Sequence, residues 1–197
     1  MQGWSEIIMG IKREIKRKIF HLISMIFPLG YIVIERENMI VFIATLFVIS
    51  LGLEIGRIFI PKIGRYINPI FESIMRGAEK KKISGATYLL AGAGITIYYF
   101  DKDVAIIALL LVSVSDTAAA IIGTAYGKVR LWGKSLEGST AYFAATGILM
   151  MLTQSLTLEQ MLVGLFTSTL VELLPIPIND NLTMPVIAGF AMHMVGS

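Results

Sequence analysis

Seven apolar segments, at roughly 19–35, 39–56, 84–100, 104–124, 139–155, 158–174 and 183–197, follow one another along this chain, separated by short breaks that carry charges, proline or glycine. A helix of about 20 apolar residues crosses the hydrocarbon core of a bilayer. The succession predicts an all-α integral membrane protein with about seven transmembrane helices, built as one domain over residues 1–197. The first, fifth and last segments are short or limited by the chain end, so they suit partly interfacial positions as well as full spans. Composition agrees: 55% of residues are hydrophobic, only 16% are charged and the mean hydropathy is +0.74. Soluble domains carry about 25% charged residues. No small-residue cleavage site follows the first charged stretch, so no secretory signal is expected. The absence of cysteine excludes disulfides and thiolate metal sites, and His21 and His193 are too few for a histidine-based metal cluster.

Basic residues set the expected orientation. Of the 17 lysines and arginines, only Arg36 and Lys102 fall in the loops "ERENM", "DKD" and "TLEQ", and the other 15 fall in the alternate segments. The N-terminus is therefore expected on the cytoplasmic side and, with an odd number of spans, the C-terminus outside. Within the longest cytoplasmic segment, the stretch from Ile63 to Met75 is amphipathic and reads as a helix lying at the membrane interface. No internal repeat or low-complexity region is visible.

Against this background Asp116 stands out, because an acid near the bilayer centre costs roughly 2.5–3.5 kcal/mol and is normally paired, metal-bound or turned to a cavity. The predicted topology gathers Arg17, Lys18, His21, Glu54, Lys134, Glu137, Glu172, Asp180 and Asn181 with it at the cytoplasmic face, and Glu79 is placed in the same shell. Carboxylates beside lysine and arginine at a membrane surface suggest a divalent cation and phosphates. Mg²⁺ is typically held by one or two carboxylates together with substrate phosphate oxygens. Each residue also has a plainer reading. Arg17 and Lys18 belong to a basic run that orientation alone explains, Glu54 and Arg57 are spaced to pair with each other on a helix, and Asp180 and Asn181 suit a turn beside Pro177. His21, one helical turn beyond Arg17, suits a general base, a substrate hydrogen bond or a satisfied core histidine. Ser115, Ala119, Gly123 and Gly127 recur every four residues; such a stripe allows close helix packing, or close approach of substrate beside Asp116. Two nucleotide-binding motifs fail: "GKS" at 133–135 has Lys128 where the phosphate loop needs its first glycine, and "GAGITIYYF" lacks the third glycine of a dinucleotide fingerprint.

Taken in order, "KRKIFHL", "LEIGR", "EKKKISGATYLL", "SDTAAAIIGTAYGK", "GKSLEGSTAYF" and "PINDNLTMPVIAG" resemble the polyprenol kinase family, which includes dolichol kinase, phytol kinase and CTP-dependent diacylglycerol kinase. The resemblance covers nearly the whole chain. It implies transfer of the γ-phosphoryl group of CTP, with Mg²⁺, to a membrane lipid alcohol at the cytoplasmic face. By motif, Arg17 and Lys18 match the Arg-Lys pair ahead of the first span. Asp116 matches the aspartate of a Gly-Asp motif, with Gly123 seven residues later. Lys134, Ser135, Glu137 and Gly138 match a segment associated with nucleotide binding, and Asp180 and Asn181 a late Asp-Asn pair. Asp116 and Asp180 are the implied metal ligands; His21, Glu54, Arg57, Glu79 and Glu172 form the implied outer shell. Ser115 stands where glycine is usual and Asn179 where a second acid is common, which lowers the local negative charge.

The family is distantly similar to CDP-diacylglycerol synthases, but the long terminal signature of those enzymes is replaced here by the short "PIPINDNLTMP". That favours a kinase over a CTP:lipid-phosphate cytidylyltransferase. A small transporter is the second rival, disfavoured because the polar residues cluster in inner loops rather than at the midplane. The expected partners are CTP, a lipid alcohol and the bilayer of a plasma or ER-type membrane, with no nucleic acid. The small-residue faces also suit a homodimer.

Overall fold

The computed structural model describes residues 18–19, 21–71 and 82–196. Among these the chain is all-α, apart from one two-stranded hairpin. An apolar helix over His21–Val33 is interrupted by a turn at 24–25, leaving α1 as Ile26–Val33. Pro28 accounts for the break, since it cannot donate to the carbonyl of Ser24 four residues earlier; Phe27 N–H bonds that carbonyl instead, at 3.0 Å. There follow α2 (Arg36–Phe59), α3 (Pro61–Phe71), α4 (Gly85–Tyr99), α5 (Lys102–Leu110), a π-helical turn (Leu111–Ser115) and α6 (Asp116–Tyr126). After the hairpin β1 (Arg130–Leu131) and β2 (Lys134–Ser135) come α7 (Leu136–Leu152), α8 (Leu158–Leu173) and α9 (Asp180–Gly196).

Local chemistry explains most boundaries. Pro61 opens α3, where its missing N–H costs nothing. Thr157 and Gln160 form a reciprocal capping box on α8, with bonds of 3.2 and 3.0 Å. The amphipathic helix expected from Ile63 begins at Pro61 and is described to Phe71; Met75 lies outside the described residues. Three further boundaries shift. Helix α2 starts at Arg36 rather than at 39, α7 starts at Leu136 directly after its Ser135 cap, and α9 starts at Asp180 rather than at 183. Glu137, Asp180 and Asn181 therefore sit in first helical turns, not in loops.

The packing is inverted relative to a soluble protein. Side chains such as Val41, Phe42, Val48, Ile49, Phe166 and Leu170 face outward, whereas Thr96, Ser115, Thr146 and Ser168 are wholly buried. Thr146 donates to Ser115 across the bundle at 3.0 Å. Arg36–Phe59 and Lys102–Tyr126 are each long and apolar enough to cross a membrane, and only 22% of the apolar window of the first is buried. These features fit a membrane protein. The apolar core joins Tyr31, Met39, Ile43, Ile97, Phe100, Val104, Leu111 and Met192.

One contact sets how α4 meets α9. Pro185 removes the helical bond that would otherwise reach the carbonyl of Asn181. Gly92 packs against that carbonyl so closely that a Cβ would stand 2.6 Å from its oxygen. Both helices start at one end of the bundle, where Asn181 Nδ2 donates to the Gly85 carbonyl at 2.8 Å, and finish at the other, where His193 lies 3.3 Å from Asp101.

Candidate active site

Asp116 follows directly on the π turn within the continuous helix Lys102–Tyr126. Its N–H bonds Leu111 O, five residues back rather than four. Ser113 Oγ donates to Leu109 O at 3.3 Å and Thr117 Oγ1 to Ser113 O at 2.6 Å, so hydroxyls compete for the carbonyls on which an α-helix depends. One inserted residue turns the following helix by about 100°. This π turn, of a kind often found at functional sites, carries no signal in the sequence beyond its serines. It sets the face on which Asp116 emerges.

There Asp116 accepts a hydrogen bond from Lys18 Nζ, and His21 Nδ1 lies 3.7 Å from the same Oδ2. The Lys18 side chain is 3% exposed and that of Asp116 19%. With both side chains so shielded, removing one would leave the other uncompensated. Ser115, which replaces the usual glycine, is absorbed by its bond from Thr146.

A second pair forms across the bundle. Trp132 and Gly133, with φ of 48° and 87°, make the turn of the hairpin β1–β2. Two consecutive positive φ values define the type I′ turn that suits a two-residue hairpin. This hairpin is missed by sequence reasoning because a bulky tryptophan occupies the position where asparagine or aspartate usually signals it. It delivers Lys134, whose Nζ bonds the Glu172 carbonyl and lies 3.3 Å from Asp180 Oδ2 and 3.8 Å from Glu172 Oε1. Glu172 also accepts from Ser139 Oγ at 2.8 Å. Lys134 thus joins the hairpin to the end of α8 and the start of α9. Ser135 caps α7 by accepting from Gly138 N–H at 3.1 Å. Glu137 accepts from Val129 N–H at 3.3 Å. Its own backbone N–H, then that of Lys128, holds its carboxyl below the usual value of 4.5.

The small-residue stripe serves packing. A Cβ on Gly123 would stand 2.7 Å from Ser135 Oγ, one on Gly138 2.8 Å from the Ala119 carbonyl, and one on Gly127 2.7 Å from Ser135 Cβ. Gly123 and Gly138 face each other across the α6–α7 contact, so the space suggested for substrate beside that face is filled by Ser135 and Gly138. Glu54 and Arg57 pair with each other as their spacing suggests, Nε to Oε2 at 3.0 Å. Arg57 also reaches the Lys82 carbonyl at 2.7 Å, while Glu54 accepts from Ser84 N–H at 3.3 Å. The pair braces the entry to α4, beside the Gly85 carbonyl that Asn181 holds. Arg17 and Glu79 lie outside the described residues.

Among the described residues no group of three His, Asp or Glu side chains converges as a ready-made metal cage. Asp116 and Asp180, 19% and 34% exposed, are hard oxygen donors of the kind Mg²⁺ takes one or two at a time when phosphates complete its shell. The donor chemistry fits that ion on these terms.

Fold and site thus define an outwardly apolar protein, helical apart from one hairpin among the described residues, with two lysine–carboxylate pairs each formed between distant segments. Three relatives share a printed name, CTP-dependent diacylglycerol kinase 1. That of Eremothecium gossypii is 28% identical, covering 93% of this chain and 68% of the relative. That of Saccharomyces cerevisiae is 32% identical, covering 67% of this chain and 47% of the relative. That of Schizosaccharomyces pombe is 25% identical, covering 93% of this chain and 94% of the relative. These relatives support the polyprenol and lipid kinase family that the chain's motifs resemble. No protein-family model matches the chain, and neither does any solved structure.

Proposed function

We propose that this chain is a CTP-dependent lipid kinase that transfers the γ-phosphoryl group of CTP to a membrane lipid alcohol at the cytoplasmic face. The kinase relatives support the coarse reading. The observation that carries the site is the pairing of Asp116 with Lys18 and of Asp180 with Lys134, across 98 and 46 residues of sequence. In this reading the single domain spans the membrane seven times, with the lysine-rich end of the bundle in the cytoplasm.

The chemistry follows from charge. Lys134 and Lys18, with Arg17, neutralise the phosphate oxygens of the nucleotide. Asp116 and Asp180 would hold Mg²⁺, which supplies further neutralisation of the β- and γ-phosphates. The hydroxyl oxygen attacks the γ-phosphorus in line, the bond to the β-phosphate oxygen breaks, and CDP leaves. His21, oriented by Asp116, takes the hydroxyl proton. Phosphoryl transfer through a loose transition state depends mainly on positioning and electrostatics, so these lysines serve it without a strong base. Ser135, Glu137 and Gly138 shape the hairpin-to-α7 junction that presents Lys134, and Asn181 secures the first turn of α9.

The test uses protein reconstituted in lipid with Mg²⁺ and CTP labelled at the γ-phosphate. Diacylglycerol, geranylgeraniol, dolichol and phosphatidic acid are offered separately. Label is expected in an alcohol, with CDP as co-product. Label released only as pyrophosphate, with phosphatidic acid consumed, would replace the kinase by a cytidylyltransferase.

A further inference from the structure

At the tip of the hairpin β1–β2 stands a residue that neither backbone preference nor packing explains. Trp132 has a φ of 48°, in the left-handed region that asparagine or glycine adopts more readily. Its side chain gains no packing in return, being 62% exposed. Tyr126, Val129, Leu131 and Leu136 around it are exposed as well, so the apolar outer surface of the bundle continues onto the hairpin. Helix Lys102–Tyr126 is long and apolar enough to cross a membrane and α7 begins at Leu136, so residues 127–135 are the whole link between them. A strand rises about 3.3 Å per residue, which keeps the tip within roughly 10 Å of the helix ends and in reach of the headgroup layer. From Tyr126 to Leu136 the chain carries Lys128, Arg130 and Lys134 and no acid. Lys134 turns inward to Asp180, whereas Lys128 and Arg130 are exposed. Leu136 N–H bonds Val129 O at 3.0 Å and Val129 N–H bonds Glu137 at 3.3 Å, fastening the base of the hairpin to α7.

We propose that the hairpin is a membrane-seated arm: Trp132, Val129 and Leu131 lie in the headgroup layer, and Lys128 and Arg130 engage lipid phosphates there, with a preference for an anionic bilayer surface. An indole, apolar but for one N–H donor, suits the boundary between acyl chains and water. Long basic side chains lay their stems along apolar surface and hold their charge at the phosphates, where anionic lipid attracts them further. An exposed tryptophan near a phosphate-binding lysine would also suit a nucleobase, but a base needs polar partners at its edge. Val129 and Leu131 offer it apolar side chains instead. Seated in this way, Trp132 is a positioning residue for Lys134, two residues further on. That consequence rests on the kinase reading; the seating itself does not.

Trp4→Phe leaves Trp132 as the single tryptophan of the full chain. This protein is reconstituted in phosphatidylcholine vesicles, with or without phosphatidylglycerol, whose acyl chains carry bromine near the headgroup or near the methyl end. Emission is expected to be blue-shifted, quenched more by shallow bromine than by deep, and little affected by aqueous acrylamide. Phosphatidylglycerol should increase the shallow quenching, and Lys128→Gln with Arg130→Gln should abolish that increase. Emission at the wavelength of free tryptophan, open to acrylamide and indifferent to bromine, overturns the proposal. So does quenching by CTP in place of bromolipid, which would make Trp132 a nucleobase platform. A phosphatidylglycerol effect that survives the double variant overturns the anionic preference. Trp132→Asn keeps the turn, since Asn-Gly is the favoured type I′ pair, so the Tm in detergent should not fall. In vesicles the same variant should raise the KM for CTP by ~5-fold. A lowered Tm would make Trp132 a packing residue, and an unchanged KM would cut its link to Lys134. Bromolipid quenching with no lipid phosphorylated would sink the kinase and keep the seat, whereas phosphorylation without quenching would do the reverse.

Discussion

Lys18 and Asp116 meet at one end of the bundle with 3% and 19% of their side chains accessible; at the other end, Asp101 meets His193 with 76% and 36% accessible. The second end also holds an arginine and a lysine. Arg36 donates to the Phe100 carbonyl, and Lys102 bonds Ile32 O at 3.0 Å while lying over the Tyr31 ring. There the charges fasten neighbouring loops and remain in contact with the surroundings. At the Asp116 end, carboxylates and lysines come from segments far apart in sequence; Lys18 and Asp116 are drawn into the protein, and Lys134 and Asp180 are half-buried. Exposed pairs contribute about 0–1 kcal/mol, so the outer pair is worth little either way. A shielded pair carries a desolvation cost that stability alone does not explain. The difference teaches that burial sets the Lys18–Asp116 pair apart, as the proposed site for a charged ligand requires, whereas the outer pair only trims a surface.

The largest expected effect breaks the comparison if it fails. Asp116→Asn should lower phosphoryl transfer by ~10³-fold or more, on the scale of losing a charged group from a transition-state site. Asp101→Asn at the other end should change it by less than about two-fold. Parallel loss in both, with helical circular dichroism retained, would mean the ends are equivalent and the site is misplaced. Next comes Lys134→Ala, expected to cost ~10²-fold with most of the loss in the KM for CTP. Glu172→Gln, which keeps an acceptor for Ser139 but removes the charge near Lys134, should cost less than Lys134→Ala. Kinetics at varied CTP decide the order.

Gly123→Ala sharpens the packing side of the comparison. Its Cβ would press on Ser135 Oγ at 2.7 Å, and overpacking of this kind costs about 1–3 kcal/mol. Thermal unfolding in detergent should show a lowered Tm, while the CTP affinity of the folded fraction stays unchanged. A weakened CTP affinity at unchanged Tm would return Gly123 to the nucleotide site. The smallest effect is acid sensitivity at Glu137. Its pKa is lowered in the fold, so the stability it contributes is present above the usual value of 4.5 and is lost as pH falls through the lower folded value. Glu137→Gln should remove that loss below about pH 4.5 and leave unfolding at neutral pH little changed. Unfolding scans across this range, with persistence of the acid step in the variant as the contrary result, give the check.

Much of the architecture was legible because bilayer thickness and helical rise impose a length on apolar segments. Among the described residues, helices overlie each of the seven predicted segments. Their ends were less legible: Glu137, Asp180 and Asn181 read as loop residues, since caps such as Ser135 and Asn179 resemble turn formers until their side-chain bonds are seen. The i, i+3 partnership of Glu54 and Arg57 was readable because helix geometry alone makes it. Lys18 with Asp116, and Lys134 with Asp180, could be assigned to one face but not to each other.

Sequence by itself determined the apolar segments, the sorting of lysine and arginine, and the identity of the polar residues, because these depend on transfer free energies and local periodicity. Only the tertiary structure decided which carboxylate meets which lysine and that the glycine stripe on α6 is filled by Ser135 and Gly138. It also decided that a π turn rotates Asp116 into place. Those outcomes depend on side chains tens of residues apart packing at van der Waals distance, and no local pattern in a chain specifies its distant neighbours.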